Sequence, residues 1–321
     1  MLTFLLGLGI AAALLTLISR IWYHRSAMAT LAELFIRFGW RKKRVYASEQ
    51  RSAACMEAQD ARNGAAYKLP FYMHFRSKVD MLQCGGVQVL LFHGGAEDAP
   101  TVAYLHGGAY VNRPTPFHLR FCRRLAAAAA ANVVMPLYPL APAHTCTEAY
   151  AFLSGFYRVL KEQAKGPIVL MGDSAGGGLA AGFCEYLGQC GLEQPDKLIL
   201  LSPWVDVTMA NPDMAAYEAA DPMLAKRGAA LMGAAWAGEL DVRDYRVSPL
   251  YGDVRPLKNV TTFVGTREIL YPDVMGFHEK LLGAGVNASL IQGEGMNHVY
   301  PIYPIPEARQ ALGQIVEAVK Q

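Results

Sequence analysis

Several large functional classes leave no mark on this sequence. Its six cysteines (Cys55, Cys84, Cys122, Cys146, Cys184 and Cys190) are scattered, with no C-x-x-C pair and no zinc-ligand spacing. They read as buried or free thiols and exclude a zinc motif. H-E-x-x-H and a P-loop lysine are also missing, so no metal and no nucleotide cofactor is expected. Charged residues make up only 18% of the chain and the formal net charge is +3. The local basic excess (Arg37, Arg41, Lys42, Lys43, Arg44) is a short cluster rather than a long face, which argues against nucleic acid as a partner. There is no internal repeat or low-complexity linker. The six alanines from Ala126 to Ala131 continue a helical pattern that starts near Phe117.

Apolar residues, in contrast, are plentiful. They form 53% of the 321 residues, enough to bury a core and to exclude global disorder. The length suits one large α/β domain with a helical insertion.

The longest uncharged run, Leu2 to Ile18, is followed by Arg20, His24 and Arg25. A membrane helix needs roughly 20 apolar residues, about 17 at the short end, so residues 1–22 are expected to form an uncleaved membrane anchor. A signal peptide fits less well, because no basic residue precedes the run; an apolar helix packed on protein is the third reading. With basic residues only after the run, the positive-inside rule places the rest of the chain on the cytoplasmic side. Gly7-Leu8-Gly9-Ile10-Ala11-Ala12 fits the dinucleotide pattern G-x-G-x-x-A, but only six residues precede it and no second strand follows, so small residues within a helix explain it better.

Residues 23–78 read as a connecting or covering segment of mixed helix and loop. From residue 79 the chain is read as a catalytic domain running to 321. Apolar strand-like runs at Val87 to Phe92, Thr101 to Leu105, Val133 to Leu137, Ile168 to Met171, Lys197 to Leu201, Val260 to Val264 and Ala288 to Ile291 alternate with helical stretches. This rhythm predicts a mainly parallel sheet covered on both faces. It stops between about 205 and 251, where a helical cap insertion is expected; an extra pair of packing helices is the plainer alternative. Trp204, Met209, Met214, Tyr217, Met223 and Trp236 in and beside this region could line a substrate pocket, although each is more readily explained as core.

The strongest chemical signal is Gly172-Asp173-Ser174-Ala175-Gly176, set between an apolar run and a helical pattern. In a nucleophile elbow the strand turns sharply into a helix, and the flanking glycines relieve crowding around a strained serine. His106-Gly107-Gly108-Ala109-Tyr110 follows the strand at 101–105. Acyl transfer develops negative charge on a carbonyl oxygen, which preorganised backbone amides can stabilise. The expected oxyanion hole comprises Gly107, Gly108, Ala109 and Ala175, with Gly107 supporting the loop and His106 in a structural hydrogen bond. His298 falls between the last strand and the final helix, where a general base is placed. His74, His93, His118 and His278 lack such context and read as surface or packing residues. For the acid, Glu268 lies three residues after Gly265, while Asp273 follows Pro272 and suits the first turn of a helix. Glu268 is the preferred reading.

Together the glycine loop, Tyr138-Pro139-Leu140-Ala141-Pro142-Ala143-His144, the elbow, Ser202-Pro203-Trp204 and Gly295-Met296-Asn297-His298 resemble, in order, the hormone-sensitive-lipase-like family of α/β-hydrolases. The resemblance spans about Thr101 to Gln321. It departs at Ala109, where a third glycine is more usual, and at Tyr138-Pro139, where an arginine commonly follows the tyrosine. It implies an α/β-hydrolase fold and a serine carboxylesterase, without metal or organic cofactor, whose partner is a small-molecule ester. Two alternatives stay open. An amidase or deacetylase would use the same residues, and a non-catalytic ligand-binding member of the fold would not need them.

Overall fold

The structure is a computed structural model that describes residues 2–71 and 79–321; for residues 2–8 and 10 it describes helical backbone only. His74 lies outside the described residues.

The sheet has eight strands: β1 (Val79–Cys84), β2 (Val87–Phe92), β3 (Thr101–Leu105), β4 (Asn132–Pro136), β5 (Ile168–Asp173), β6 (Lys197–Leu201), β7 (Val260–Gly265) and β8 (Ala288–Gly293), in the spatial order β1-β2-β4-β3-β5-β6-β7-β8. The β1–β2 and β2–β4 pairs are antiparallel; from β4 to β8 all pairs are parallel. Every residue of β5 is buried, which is why its sequence is a continuous apolar run. β1 is an edge strand with Met81 and Leu82 exposed, and its sequence, Val-Asp-Met-Leu-Gln-Cys, carries no such run. It is therefore the one strand that the apolar pattern does not announce.

Helices α5 (Pro116–Ala129), α6 (Cys146–Gln163), α7 (Ala175–Gln189), α10 (Tyr271–Gly283) and α11 (Pro306–Lys320) flank the sheet. Parallel neighbours need such crossovers, and their amphipathic faces cover the strands. Two capping boxes set helix starts: Thr115 with His118 opens α5, and Thr145 with Glu148 opens α6.

The amino-terminal segment contains α1 (Leu2–Tyr23), α2 (Ala27–Leu34), a π-helical turn at Phe35–Trp40, α3 (Lys43–Tyr46) and α4 (Glu49–Asn63). Among the described residues no helix is long and apolar enough to cross a membrane. Of the expected anchor, the side chains of residues 2–8 and 10 lie outside the described residues; Leu14, Leu17, Ile18, Ile21 and Trp22 are exposed. Buried Arg25 fastens the segment to the sheet domain. Its guanidinium pairs with Glu33 and donates to the Gly295 carbonyl at 3.0 Å, and Glu33 also faces Arg37 at 3.1 Å and Arg267 at 3.6 Å. Ser26 binds the Glu307 carboxylate through its amide at 2.6 Å and its hydroxyl at 3.0 Å.

Residues 205–251 hold two helices, α8 (Met214–Glu218) and α9 (Lys226–Ala237), and a 3-10 turn at Pro249–Tyr251. α9 packs on α3 and α4. Arg37 donates to the Ala220 carbonyl at 2.7 Å, and Lys43 donates to those of Glu218 and Asp221. The insertion and the amino-terminal segment thus form one continuous cover.

Candidate active site

The site lies at the carboxyl ends of the parallel strands. At the end of β5 Ser174 has φ +53° and ψ −123°, a conformation that costs on the order of 1–3 kcal/mol and persists only when its surroundings enforce it. The turn is locked by the Ser174 amide on the Leu201 carbonyl at 2.9 Å and by the Ser174 carbonyl, which accepts from Trp204 and Gly178. Two glycines make it possible. A Cβ at Gly172 would lie 2.2 Å from the Gly176 carbonyl oxygen, and one at Gly176 would lie 2.1 Å from that of Leu105.

The Ser174 hydroxyl is 2.8 Å from His298 Nε2, and His298 Nδ1 is 3.2 Å from Glu268 Oε2. With Nδ1–H directed at the carboxylate, Nε2 is free to accept the serine proton. Glu268 is fully buried. Burial pushes its carboxyl above the ordinary range, against the opposing pull of His298 and the Ser202 hydroxyl. Ser202 also accepts the Val299 amide at 3.0 Å, fixing the backbone beside His298.

Asp273 stands elsewhere. It is in the first turn of α10, as its sequence context suggests, but its carboxylate does not serve helix amides. Asn211 donates to Oδ1 at 2.7 Å, Oδ2 is buried without a partner among the described residues, and burial raises the group to about 6.

The glycine loop follows β3. The amides of Gly108, Ala109 and Ala175 donate to no protein acceptor among the described residues, and all three residues border or adjoin the cavity at Ser174. Gly107 is a correction to the expected oxyanion set: its amide donates to Asp173 Oδ1 at 2.8 Å and is not available to a substrate. Ala109 has φ +56°, which explains why glycine is more usual there; an L side chain in this region costs roughly 1–2 kcal/mol. His106 is buried and stacks on Tyr138 with ring centroids 4.6 Å apart. Burial lowers it to about 4, so it stays neutral near pH 7.

Three residues of this layer escape a reading of the sequence. Asp173, inside the elbow, accepts from the Tyr104 hydroxyl at 2.6 Å as well as from Gly107, and His118 Nε2 lies 3.2 Å away. Burial would raise this carboxyl, but its neighbour His118, Tyr104 and Gly107 hold it at about 2. His118, expected to be a surface or packing residue, is buried and joins the α5 cap to the elbow. The Thr115 amide donates to its Nδ1 at 2.8 Å, leaving the Nε2 proton to face Asp173. The readable signal was Thr115-x-x-His118 at a helix start, an unusual capping box. Asp221 is the second link: its carboxylate accepts from Met223 and Leu224 in the insertion and from Ile269, next to Glu268.

Above Ser174 is a cavity of about 140 Å³ whose walls include Trp40, Phe117, Met223, Leu224, Leu270 and Tyr303. The insertion therefore lies over the site. Of the six large residues singled out in and beside the insertion, Trp204 and Met223 line the cavity, and Leu224 joins them. Trp236 stacks on Tyr110 at 4.2 Å, Tyr217 on Tyr271 at 5.3 Å, Met214 is fully buried, and Met209 is buried against the Trp204 indole nitrogen.

A family model described as alpha/beta hydrolase fold matches residues 102–302. A crystal structure of an esterase from the bacterial hormone-sensitive lipase family superposes with a TM-score of 0.73 at 26% identity, covering 84% of this chain and 96% of that one. The chain is a hormone-sensitive-lipase-like α/β-hydrolase. Relatives of the hydrolase include an acetyl-hydrolase of Streptomyces hygroscopicus, 30% identical over 67% of this chain and 74% of the relative. An esterase of Acinetobacter venetianus is 30% identical over 74% and 80% respectively.

Proposed function

We propose that the hydrolase is a serine carboxylesterase for small, short-chain acyl esters. The observation that carries this reading is the continuous chain Ser174–His298–Glu268 at 2.8 and 3.2 Å, beside the amides of Gly108, Ala109 and Ala175, which have no partner among the described residues. His298 takes the Ser174 proton as the hydroxyl attacks the ester carbonyl. Glu268 holds the imidazole by its Nδ1–H and stabilises the imidazolium. The oxyanion draws on the amides of Gly108, Ala109 and Ala175. His298 then protonates the leaving alcohol, and water activated by the same imidazole releases the acid.

The names of the relatives, esterase and acetyl-hydrolase, support esters over amides. The small cavity supports a short acyl chain, because an apolar cavity of roughly 150 Å³ holds a molecule about the size of benzene. A series of p-nitrophenyl esters should peak between about two and eight acyl carbons, and matched amides should turn over far more slowly. A clear maximum on long-chain triglyceride emulsions would overturn the acyl-length reading. Failure of a fluorophosphonate to label Ser174 would leave the non-catalytic binder standing.

The uncharged run Leu2 to Ile18 and the exposed apolar face of α1 support a second element: the hydrolase is held at a membrane by this segment, with the catalytic domain on the cytoplasmic side. Full-length protein should resist carbonate extraction and be released on deletion of residues 1–18. A full-length chain that stays in the soluble fraction refutes it.

A further inference from the structure

Among the described residues lining the cavity above Ser174 is one lysine, which the hydrolytic steps do not use. Lys42 follows the π-helical turn at Phe35–Trp40, and Arg41, at φ +51°, redirects the chain between them. Lys42 lies on the cavity wall near Trp40 and Tyr46 and is the only lysine or arginine among the described cavity residues. The rest of the basic cluster points elsewhere. Arg37 and Lys43 bind carbonyls of the insertion, Arg41 folds back on the Phe38 carbonyl, and Arg44 is exposed.

The Lys42 ammonium has three donors, and among the described residues none meets a protein acceptor. Burial lowers its pKa, while Asp173 and Asp221 pull the other way from a distance. Neither carboxylate is free to pair with it. Asp173 is engaged by Tyr104, Gly107 and His118, and Asp221 by Met223, Leu224 and Ile269. An ammonium in a mostly apolar cavity is costly without a counter-charge. Among the described residues none supplies it within contact.

We infer that Lys42 binds an ionised carboxylate carried by the substrate, so that the preferred esters of this hydrolase are short ones with a free carboxylate. This rests on the esterase reading and names its substrate class. A carboxylate suits the site better than a phosphate, which is commonly held by several donors or a guanidinium fork; one lysine acts as a single point charge. The free carboxylate can sit on the acyl or the alcohol side, and the test separates the two.

Two pairs of esters differ only by a carboxylate in place of a terminal methyl group. Ethyl hydrogen succinate against ethyl butyrate places it on the acyl side; 3-acetoxypropanoate against propyl acetate places it on the alcohol side. In at least one pair wild-type kcat/KM should favour the anion by about 10- to 100-fold, the usual range for a charge-assisted contact. Lys42→Met should erase most of that ratio, mainly through KM, and Lys42→Arg should retain part of it. Fluorophosphonate labelling of Ser174 shows that the variants keep an assembled site. Equal wild-type rates within both pairs overturn the inference without any variant, as does an anion preference that survives Lys42→Met. In both cases turnover of the neutral esters leaves the hydrolase reading intact. No turnover of all four esters, with Ser174 unlabelled, overturns the esterase reading and this inference with it.

Discussion

Ser174→Ala is expected to lower kcat on p-nitrophenyl butyrate by about 10⁵ to 10⁶, the scale seen when a triad nucleophile is removed. The substitution deletes the oxygen that lies 2.8 Å from His298 Nε2 and leaves the amides of Gly108, Ala109 and Ala175 in place. A residual rate above water, of roughly 10³ to 10⁴, should therefore persist from oxyanion binding alone. Alanine meets the same unfavourable φ of +53° as serine, so the elbow is no more strained than before. The thermal midpoint should shift by no more than a few degrees. Activity within tenfold of wild type would sink the assignment of Ser174.

Glu268→Gln should lower kcat by roughly 10³ to 10⁴, close to the effect of neutralising the acid in another serine triad. Glutamine preserves the shape of the side chain, but it removes the charge that stabilises the imidazolium. Its amide can also present N–H to Nδ1, favouring the tautomer in which Nε2 carries the proton and cannot accept one from Ser174. Asp273→Asn is the control, with kcat within about tenfold of wild type. Its structural effect differs from that of a lost helix cap. Burial raises Asp273 to about 6 from its ordinary value of 3.8, so the folded state binds its proton more tightly than the unfolded state. Its contribution to stability is greatest below pH 3.8 and declines as pH rises through about 6. Asparagine should flatten that dependence in a thermal-melt series from pH 4 to 7. The reverse ranking of the two variants in kcat would move the acid to Asp273 while leaving the nucleophile and base where they are.

How much of this could be read from the sequence depends on how local each signal is. β5 and the elbow are contiguous: an apolar run, a G-x-S-x-G turn and a helix occur within about twenty residues, and burial on both faces leaves an unmistakable composition. The fold class follows from the same alternation repeated along the chain. β1 was hidden because an edge strand with exposed Met81 and Leu82 has no apolar alternation to display. The second layer around Ser174 was hidden for a different reason. Tyr104 and Gly107, at the end of β3, and His118, in α5, meet on Asp173, and nothing in the spacing of these residues marks the meeting. Gly107 was misread because a glycine loop indicates exposed amides without telling which one the protein uses for itself. Lys42 belonged to a basic cluster whose members look alike in sequence and differ only in which way the chain turns after Trp40.

The docking of Arg25 sets a limit on how far the chain can be trimmed. Its guanidinium spans Glu33 and the Gly295 carbonyl, and Gly295 opens the loop that ends in His298. Glu33 also faces Arg267, the residue before Glu268. A version shortened to begin at Ser19 keeps every one of these links, including the Arg25 amide on the Ser19 carbonyl. A version beginning at Ser26 loses the Arg25 clasp on the loop that ends in His298 and leaves the buried Glu33 carboxylate to the more distant Arg37 and Arg267. Solubility gained by cutting deeply would then come with a loosened base, and a weak rate measured on such a protein would describe the cut rather than the enzyme.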